Sequence, residues 1–195
     1  MRMLVESGIA VDVAFMTRGE LGVEAGASAI RQREVAQERT QEAQAACNVL
    51  GVRKLFFLDG ADTGLAQQPH LAQSVAGLFA SEHYQRVFCP WPHDAHPDHI
   101  ATFNLLRQAV RTTPAPDHYW LYEVWKPLAA NTFVPIDNTV AVKRRAIEQY
   151  RSQLALCNYE AGVLGLAAYR SLFCPASQFA EAFFVCDRNE VLSLS

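Results

Sequence analysis

The sequence lacks the features that mark membrane, secreted and nucleic-acid-binding proteins. Its apolar stretches are broken by Gly, Pro or charged residues short of the roughly 18 residues that a membrane span needs, and residues 1–8 lack the apolar run of a signal peptide. Lys and Arg total 17 against 20 Asp and Glu, so the net charge of -3 provides no cationic field to hold a phosphate backbone. We therefore expect a cytoplasmic protein with neither a membrane nor a nucleic acid as partner.

The cysteines are irregularly placed. The five cysteines are an odd number, and no two of them form a CxxC pair; they stand at positions 47, 89, 157, 174 and 186. This spacing disfavours both a disulfide framework and a zinc-thiolate site. We expect reduced thiols, which suit the cytosol.

Short β-branched runs alternate along the chain with longer runs of helical periodicity. The pattern predicts strands at residues 9–16, 54–58, 86–89, 119–124, 132–136 and 183–185, and helices at residues 29–50, 70–83, 97–109 and 143–156. Such alternation is typical of an α/β fold with a mostly parallel sheet. Half of the residues are hydrophobic and no linker or repeat interrupts the pattern, so we expect a single domain over residues 1–195.

Ligand-type side chains are densest at residues 90–99, with the sequence PWPHDAHPDH. Three of the six histidines and two carboxylates fall within seven positions, between a predicted strand end and a predicted helix start. In open α/β sheets this is where ligands bind. Imidazole and carboxylate donors suit zinc or a similar divalent ion.

Plain structural roles account for single members of this cluster. Asp98 could complement the dipole at a helix start, and His96 could act as an N-cap before Pro97. For the whole cluster a functional role is favoured, because crowding so many titratable groups into one loop has a cost that packing does not recover.

The stretch from Pro92 to Ala101 resembles the second signature of the PIG-L/LmbE-like family of zinc-dependent N-deacetylases, which act on N-acetylglucosamine-type sugars. Other segments occur in the order that the family shows. They are TRGELG at residues 17–22, the Arg39/Glu42 pair before LGV at 50–52, YEVW at 122–125, Lys143, SQ at 152–153 and AEAF at 180–183. The resemblance implies a Rossmann-like three-layer α/β/α fold.

The resemblance also implies roles for particular residues. His99 matches the zinc-binding histidine of the motif. His96 matches the histidine that stabilises the tetrahedral oxyanion and passes a proton to the leaving amine, and Asp98 matches the carboxylate that orients and tunes it. Arg39 and Glu20 match residues that the family associates with its substrate pocket. Arg39 and Glu42 could equally form an i,i+3 ion pair on a solvated helix face.

The resemblance further implies an earlier signature, AHPDD, which supplies a His and an Asp as zinc ligands and an Asp as general base. The sequence does not contain it, and residues 2–8 fit the end of the family's first helix. We therefore expect a chain that is N-terminally truncated relative to the family and lacks its first strand. Three explanations are open for the missing signature. The start of the sequence is mis-assigned, the chain is an inactive relative, or residues 93–99 build a separate site.

The sequence thus predicts a metal-dependent hydrolase that removes an N-acetyl group from an amino sugar, with Zn²⁺ as cofactor and Fe²⁺ as an alternative ion for the same donors. A thiol-conjugate amidase or a mycothiol- or bacillithiol-pathway deacetylase is a second hypothesis. An inactive binding or interaction module is a third. The partner expected is a small amino-sugar substrate, and a homo-oligomer stays open.

Overall fold

The computed structural model describes residues 1–23, 26–114 and 116–194. The strands are β1 (Asp12–Thr17), β2 (Lys54–Gly60), β3 (Arg86–Pro90), β4 (His118–Tyr122), β5 (Thr132–Pro135) and β6 (Ala180–Asp187). The α-helices are α1 (Arg2–Glu6), α2 (Ala29–Leu50), α3 (Leu71–Ser81), α4 (Pro97–Thr112), α5 (Val140–Ile147), α6 (Arg151–Leu154), α7 (Tyr159–Arg170) and α8 (Arg188–Ser193). Short 3-10 helices cover Leu65–Gln67 and Ser171–Phe173.

The chain divides into two compact units. The first contains Met1–Asp62 and Val134–Glu181, and the second contains Thr63–Phe133 and the chain from Ala182 onward. A single domain over residues 1–195 therefore stays a prediction. No helix in the described part of the chain is long and apolar enough to cross a membrane.

In the first unit, β1 and β2 form a parallel pair joined by the long helix α2. The start of β1 is fixed by Asp12, whose carboxylate accepts hydrogen bonds from the Arg53 guanidinium at 2.5 and 2.8 Å. Helix α2 ends at Gly51, whose φ of 80° is the left-handed conformation that glycine adopts readily. The helix buries a stripe of mostly small side chains and packs against α5.

The second unit contains β3, β4 and residues 182–187 of β6, which are neighbours in a sheet with strand order β3-β4-β6-β5. Strands β3 and β4 are parallel and connected through α4, whereas β4 and β6 are antiparallel. Helix α4 packs against α3, β3 and α8. Its apolar face joins the sheet in a core made of Cys89, Phe103, Leu106, Val110, Tyr119, Leu121, Cys186 and Val191.

The α/β class and the largely parallel pairing are confirmed. The helix predicted at 29–50 has those bounds, and the one predicted at 97–109 continues to Thr112. The single late helix predicted at 143–156 is wrong, because the chain forms α5 and α6 with a break between them. The last strand is longer than predicted, running from Ala180 to Asp187.

Candidate functional site

The candidate site begins where β3 ends. The Trp91 N–H donates to the Tyr122 carbonyl at 2.8 Å and so extends the pairing of β3 with β4 by one residue. Helix α4 then starts at Pro97, a position where proline is favoured because its fixed φ suits a helix and its missing N–H has no intrahelical partner. The connection at 91–96 therefore carries its side chains between a strand's carboxyl end and a helix's amino end.

His96 is the N-cap of α4. Its ring Nδ1 accepts a hydrogen bond from the Asp98 N–H at 3.2 Å, which satisfies one of the free N–H groups at the helix start. Because Nδ1 accepts, the proton of the neutral imidazole is on Nε2. The structure thus confirms the capping contact suggested for His96 and leaves Nε2–H as a donor.

His99 has the opposite arrangement. Its Nδ1 lies 2.9 Å from Oδ1 of Asp94, whose side chain has no exposed surface. A carboxylate can only accept, so Nδ1 of His99 carries a proton and Nε2 of the neutral ring carries the lone pair. About a quarter of the His99 side chain, 25%, is exposed.

Asp94 is ionised in this environment. Burial opposes ionisation, but the N–H groups of His96 and Trp125 and the His99 ring outweigh it and hold the pKa of Asp94 below its ordinary value. The negative charge is therefore present to hold the His99 ring in place.

The two imidazoles are neighbours with complementary chemistry. Their ring centroids are 4.9 Å apart, with one ring presenting an N–H donor and the other a lone pair at Nε2. A lone pair on Nε2 is what a metal ligand needs, and an N–H is what a developing oxyanion needs.

Asp98 lies in the first turn of α4, and it contacts His96 through its backbone N–H. Its buried carboxylate accepts hydrogen bonds from the N–H groups of Thr63 at 2.6 Å and Leu65 at 3.3 Å. The side chain thus anchors the segment that follows β2 to the start of α4, where its charge also complements the helix dipole.

Arg39 belongs to the first unit, where it holds the loop that follows β1. Its guanidinium donates to the carbonyls of Gly19 at 2.6 Å and Gly22 at 3.3 Å. A Cβ at either glycine would displace this guanidinium, so Arg39 keeps its contacts with the two carbonyls only while both positions lack a side chain. Glu42 is not its partner here: the buried Glu42 carboxylate accepts from the N–H and hydroxyl of Ser152, both at 2.7 Å.

Glu20 also lies in this loop and contacts residue 62. Its Oε1 accepts from the Asp62 N–H at 2.9 Å, and the Leu21 N–H donates back to the Asp62 carboxylate at 3.0 Å. Glu20 lines an open cavity of about 240 Å³, together with Arg18, Ala29, Gln32, Arg33, Ala36, Asp59 and Gly60. The structure thus brings His96, Asp98 and His99 together in one unit and places Glu20 and Arg39 in the other.

The described residues do not make a zinc site by themselves. Among residues 1–23, 26–114 and 116–194, no group of three or more His, Cys, Asp or Glu side chains could hold a metal ion. A catalytic zinc site normally has three protein ligands, and His99 offers one imidazole nitrogen.

Asp94 is one of the ligand-type residues of the cluster at 90–99, and the sequence predicts no separate role for it. In the structure it supports His99, and it also accepts from the N–H groups of Trp125 at 3.0 Å and Lys126 at 3.4 Å. The spacing of Asp94 and His99 across a helix start could have suggested the first contact. Nothing local could have suggested the contacts with Trp125 and Lys126, which lie 31 and 32 positions from Asp94 in the chain.

Two curated relatives match the chain at modest identity. The diacetylchitobiose deacetylase of Thermococcus kodakarensis is 28% identical in an alignment of 171 positions that covers 78% of this chain and 62% of that protein. The probable N-acetyl-alpha-D-glucosaminyl L-malate deacetylase 2 of Bacillus cereus is 26% identical in an alignment of 127 positions that covers 63% of this chain and 58% of that protein. The chain therefore spans about three fifths of the length of these relatives.

A solved structure with a similar fold is N,N'-diacetylchitobiose deacetylase from Pyrococcus horikoshii. It superposes with a TM-score of 0.82 at 21% identity, over 96% of this chain and 77% of that one. The sequence profile of the PIG-L family, described as GlcNAc-PI de-N-acetylase, matches residues 1–110. More than half of the chain thus carries the family's pattern, and the protein belongs to the PIG-L family.

Proposed function

We propose that this chain contributes to a hydrolase that removes the acetyl group from an N-acetylglucosamine-type sugar. The observation that carries the proposal is the pair of neighbouring imidazoles at the start of α4, with a donor Nε2–H on His96 and a lone pair on His99. Family membership supports the reaction class, and the names of both curated relatives point to N-acetylated sugars.

Hydrolysis of an acetamide places charge on two atoms in turn. Water adds to the carbonyl carbon as a base takes one of its protons, the carbonyl oxygen becomes an oxyanion, and the C–N bond then breaks as the amine takes a proton. The Nε2–H of His96 suits the first event, because it can donate a hydrogen bond to the oxyanion. For the second event His96 must be an imidazolium, with Nδ1 protonated and no longer accepting the Asp98 N–H, so that Nε2 can pass its proton to the nitrogen and leave a neutral ring. Asp98 acts as a positioning residue, since its N–H holds Nδ1 of His96 and its carboxylate holds the start of α4.

His99 is proposed as one ligand of a Zn²⁺ ion, with Fe²⁺ as the alternative. An imidazole nitrogen can bind either ion. Such a site needs further ligands, and the described residues do not bring a group of three together. Glu20 and Arg39 are proposed to serve the substrate side, Glu20 from the wall of its cavity and Arg39 by fixing the loop that carries Glu20.

The test measures acetate released from N-acetylglucosamine, N,N'-diacetylchitobiose and an N-acetylglucosaminyl malate. The 195-residue chain is compared with a form that includes any in-frame codons preceding Met1, each with Zn²⁺ or Fe²⁺ added. Acetate release that His99→Ala abolishes supports the proposal. The preferred substrate then shows whether the specificity is that of a chitobiose deacetylase or of a glucosaminyl malate deacetylase. No release by either form with any substrate or metal contradicts it.

A sugar-binding module without catalysis is the second candidate function. It is favoured by the lack of a three-ligand metal group among the residues that the structure describes. Titration of the same sugars, followed by NMR or calorimetry, distinguishes the two. Saturable binding without acetate release indicates the module, whereas release indicates the enzyme.

A further inference from the structure

The side chain of Asp94 lies fully buried between the start of α4 and the segment that follows β4. Oδ1 accepts from the His96 N–H at 3.0 Å and from Nδ1 of His99 at 2.9 Å. Oδ2 accepts from the N–H groups of Trp125 at 3.0 Å and Lys126 at 3.4 Å. One carboxylate therefore joins a candidate site imidazole to a chain segment about 30 positions away.

All four groups around Asp94 present N–H donors. Only an ionised carboxylate can accept on both of its oxygens, since a side-chain amide has one oxygen and one NH₂ group. An amide at position 94 must point its NH₂ either at His96 and His99 or at the two backbone N–H groups. Either orientation places donor against donor in a buried site, which is costly.

We propose that Asp94 is a positioning residue that fixes the tautomer of His99 and ties it to the Trp125–Lys126 segment. The lone pair on Nε2 of His99 follows from this contact, because the proton is held on Nδ1. The catalytic meaning of the inference rests on the proposed deacetylase function. The tautomer and the link to the segment do not depend on it.

The backbone of Trp125 is held by the same carboxylate that holds the His99 ring. About half of Trp125, 51%, is exposed, although its backbone N–H is bound to Asp94. Loss of the carboxylate is therefore expected to change His99 and to loosen the 125–126 backbone together. A contact that merely filled space would not couple these two readouts.

The test is the exchange Asp94→Asn in the 195-residue chain, read by ¹⁵N NMR of the histidine rings at about pH 8.5, where a free imidazole is neutral. In the parent protein, we expect His99 protonated on Nδ1 alone. In the variant, we expect the Nε2–H form to be populated, and the amide hydrogens of Trp125 and Lys126 to exchange about tenfold faster or more. Asp117→Asn, the same exchange at an exposed position of the same unit, is the matched control and should change neither.

Two results overturn the inference. One is a parent protein in which His99 carries its proton on Nε2, a measurement that needs no variant to fold. The other is a folded Asp94→Asn protein in which the His99 tautomer and the exchange at residues 125 and 126 are unchanged. Absence of acetate release bears only on the proposed function, because both readouts are obtained without a substrate.

Discussion

The two ring nitrogens of His96 have separate roles. Nδ1 accepts the Asp98 N–H and so caps α4, whereas Nε2–H is left to act on a substrate. A single substitution to alanine would remove both. Replacement by asparagine separates them, because the Asn side-chain oxygen is among the best N-cap acceptors and reaches the same N–H, but it provides no imidazole.

We expect His96→Ala to lower the free energy of unfolding by about 1 kcal/mol, and His96→Asn to leave it within about 0.5 kcal/mol of the parent. Both variants are expected to lower kcat for acetate release by about 100- to 10,000-fold, since the general acid is lost. Urea unfolding and steady-state kinetics check the two effects. Parent-like activity in His96→Asn would show that Nε2–H has no part in the reaction.

At the scale of an element, the loop after β1 depends on the fit between Arg39 and two glycines. A Cβ at Gly22 would lie closer to the Arg39 guanidinium than real Cβ contacts do, so Gly22→Ala must displace the guanidinium from the carbonyls of Gly19 and Gly22. We expect Gly22→Ala and Arg39→Ala each to cost about 1.5–3 kcal/mol of stability, the range for hydrogen bonds to a charged group.

The double variant tests whether these costs have one cause. Because Gly22→Ala already displaces the guanidinium, Arg39→Ala should cost little more in its presence, leaving a coupling energy of about 1 kcal/mol or more. Gly165→Ala in α7 is the matched control: nothing lies within 4 Å of the added Cβ, and alanine in a helix is expected to stabilise by about 0.5–1 kcal/mol. Strictly additive costs would show that Arg39 and Gly22 act separately.

Elements with strong local signals could be predicted from the sequence. Helix α2 ends at Gly51, and α4 begins at Pro97, because both residues determine the local backbone. Helix α7 was missed, although the Asn158 side chain caps it by accepting from the Ala161 N–H and is a recognisable start signal.

Features set by distant contacts could not be predicted. The late helix was expected to be continuous, yet the Ser152 N–H at the start of α6 donates to the Glu42 carboxylate, 110 positions away. In the site, His96, Asp98 and His99 are close in sequence and were identified together. The partners of Asp94 at residues 125 and 126 follow only from the meeting of β3 and β4.

At the scale of the whole molecule, the five thiols report on folding. All five cysteines are free; Cys157 is exposed, Cys174 is partly exposed, and Cys47, Cys89 and Cys186 are buried. Burial raises the pKa of all three buried thiols, that of Cys186 to about 12 with a further contribution from Glu190 and Asp187. A thiol with a raised pKa forms little of the reactive thiolate near neutral pH.

We therefore expect an aromatic disulfide reagent to label Cys157 rapidly and Cys174 more slowly in the native protein. The three buried thiols should react at the rate at which the chain opens. Cys157→Ser should remove the fast phase alone, and urea should make all the thiols react rapidly. Fast labelling of Cys89 in native conditions would contradict the buried core of the second unit.

The pH dependence of stability is expected to show a contribution from the ion pair of Lys143 and Glu181, whose Nζ and Oε1 atoms are 2.6 Å apart. Burial opposes ionisation of Glu181, but the charge and hydrogen bond of Lys143, with the Met1 amino group, hold the pKa of Glu181 below its ordinary value. A carboxyl whose pKa is lower in the folded state stabilises the protein above the pKa of the unfolded chain. That stability is lost as the pH falls through the folded-state pKa.

The measurement is urea unfolding of the parent and of Glu181→Gln at a series of pH values. Above about pH 5, where the carboxyl is ionised in both states, the parent should be the more stable by its full margin. The margin should shrink as the pH falls below about 4.3, because the carboxyl of the unfolded chain takes up a proton while the native one stays ionised, and it is lost once the native carboxyl is protonated as well. A margin that stays constant down to about pH 3 would mean that the charge of Glu181 adds nothing, and that the contact with Lys143 acts only through packing.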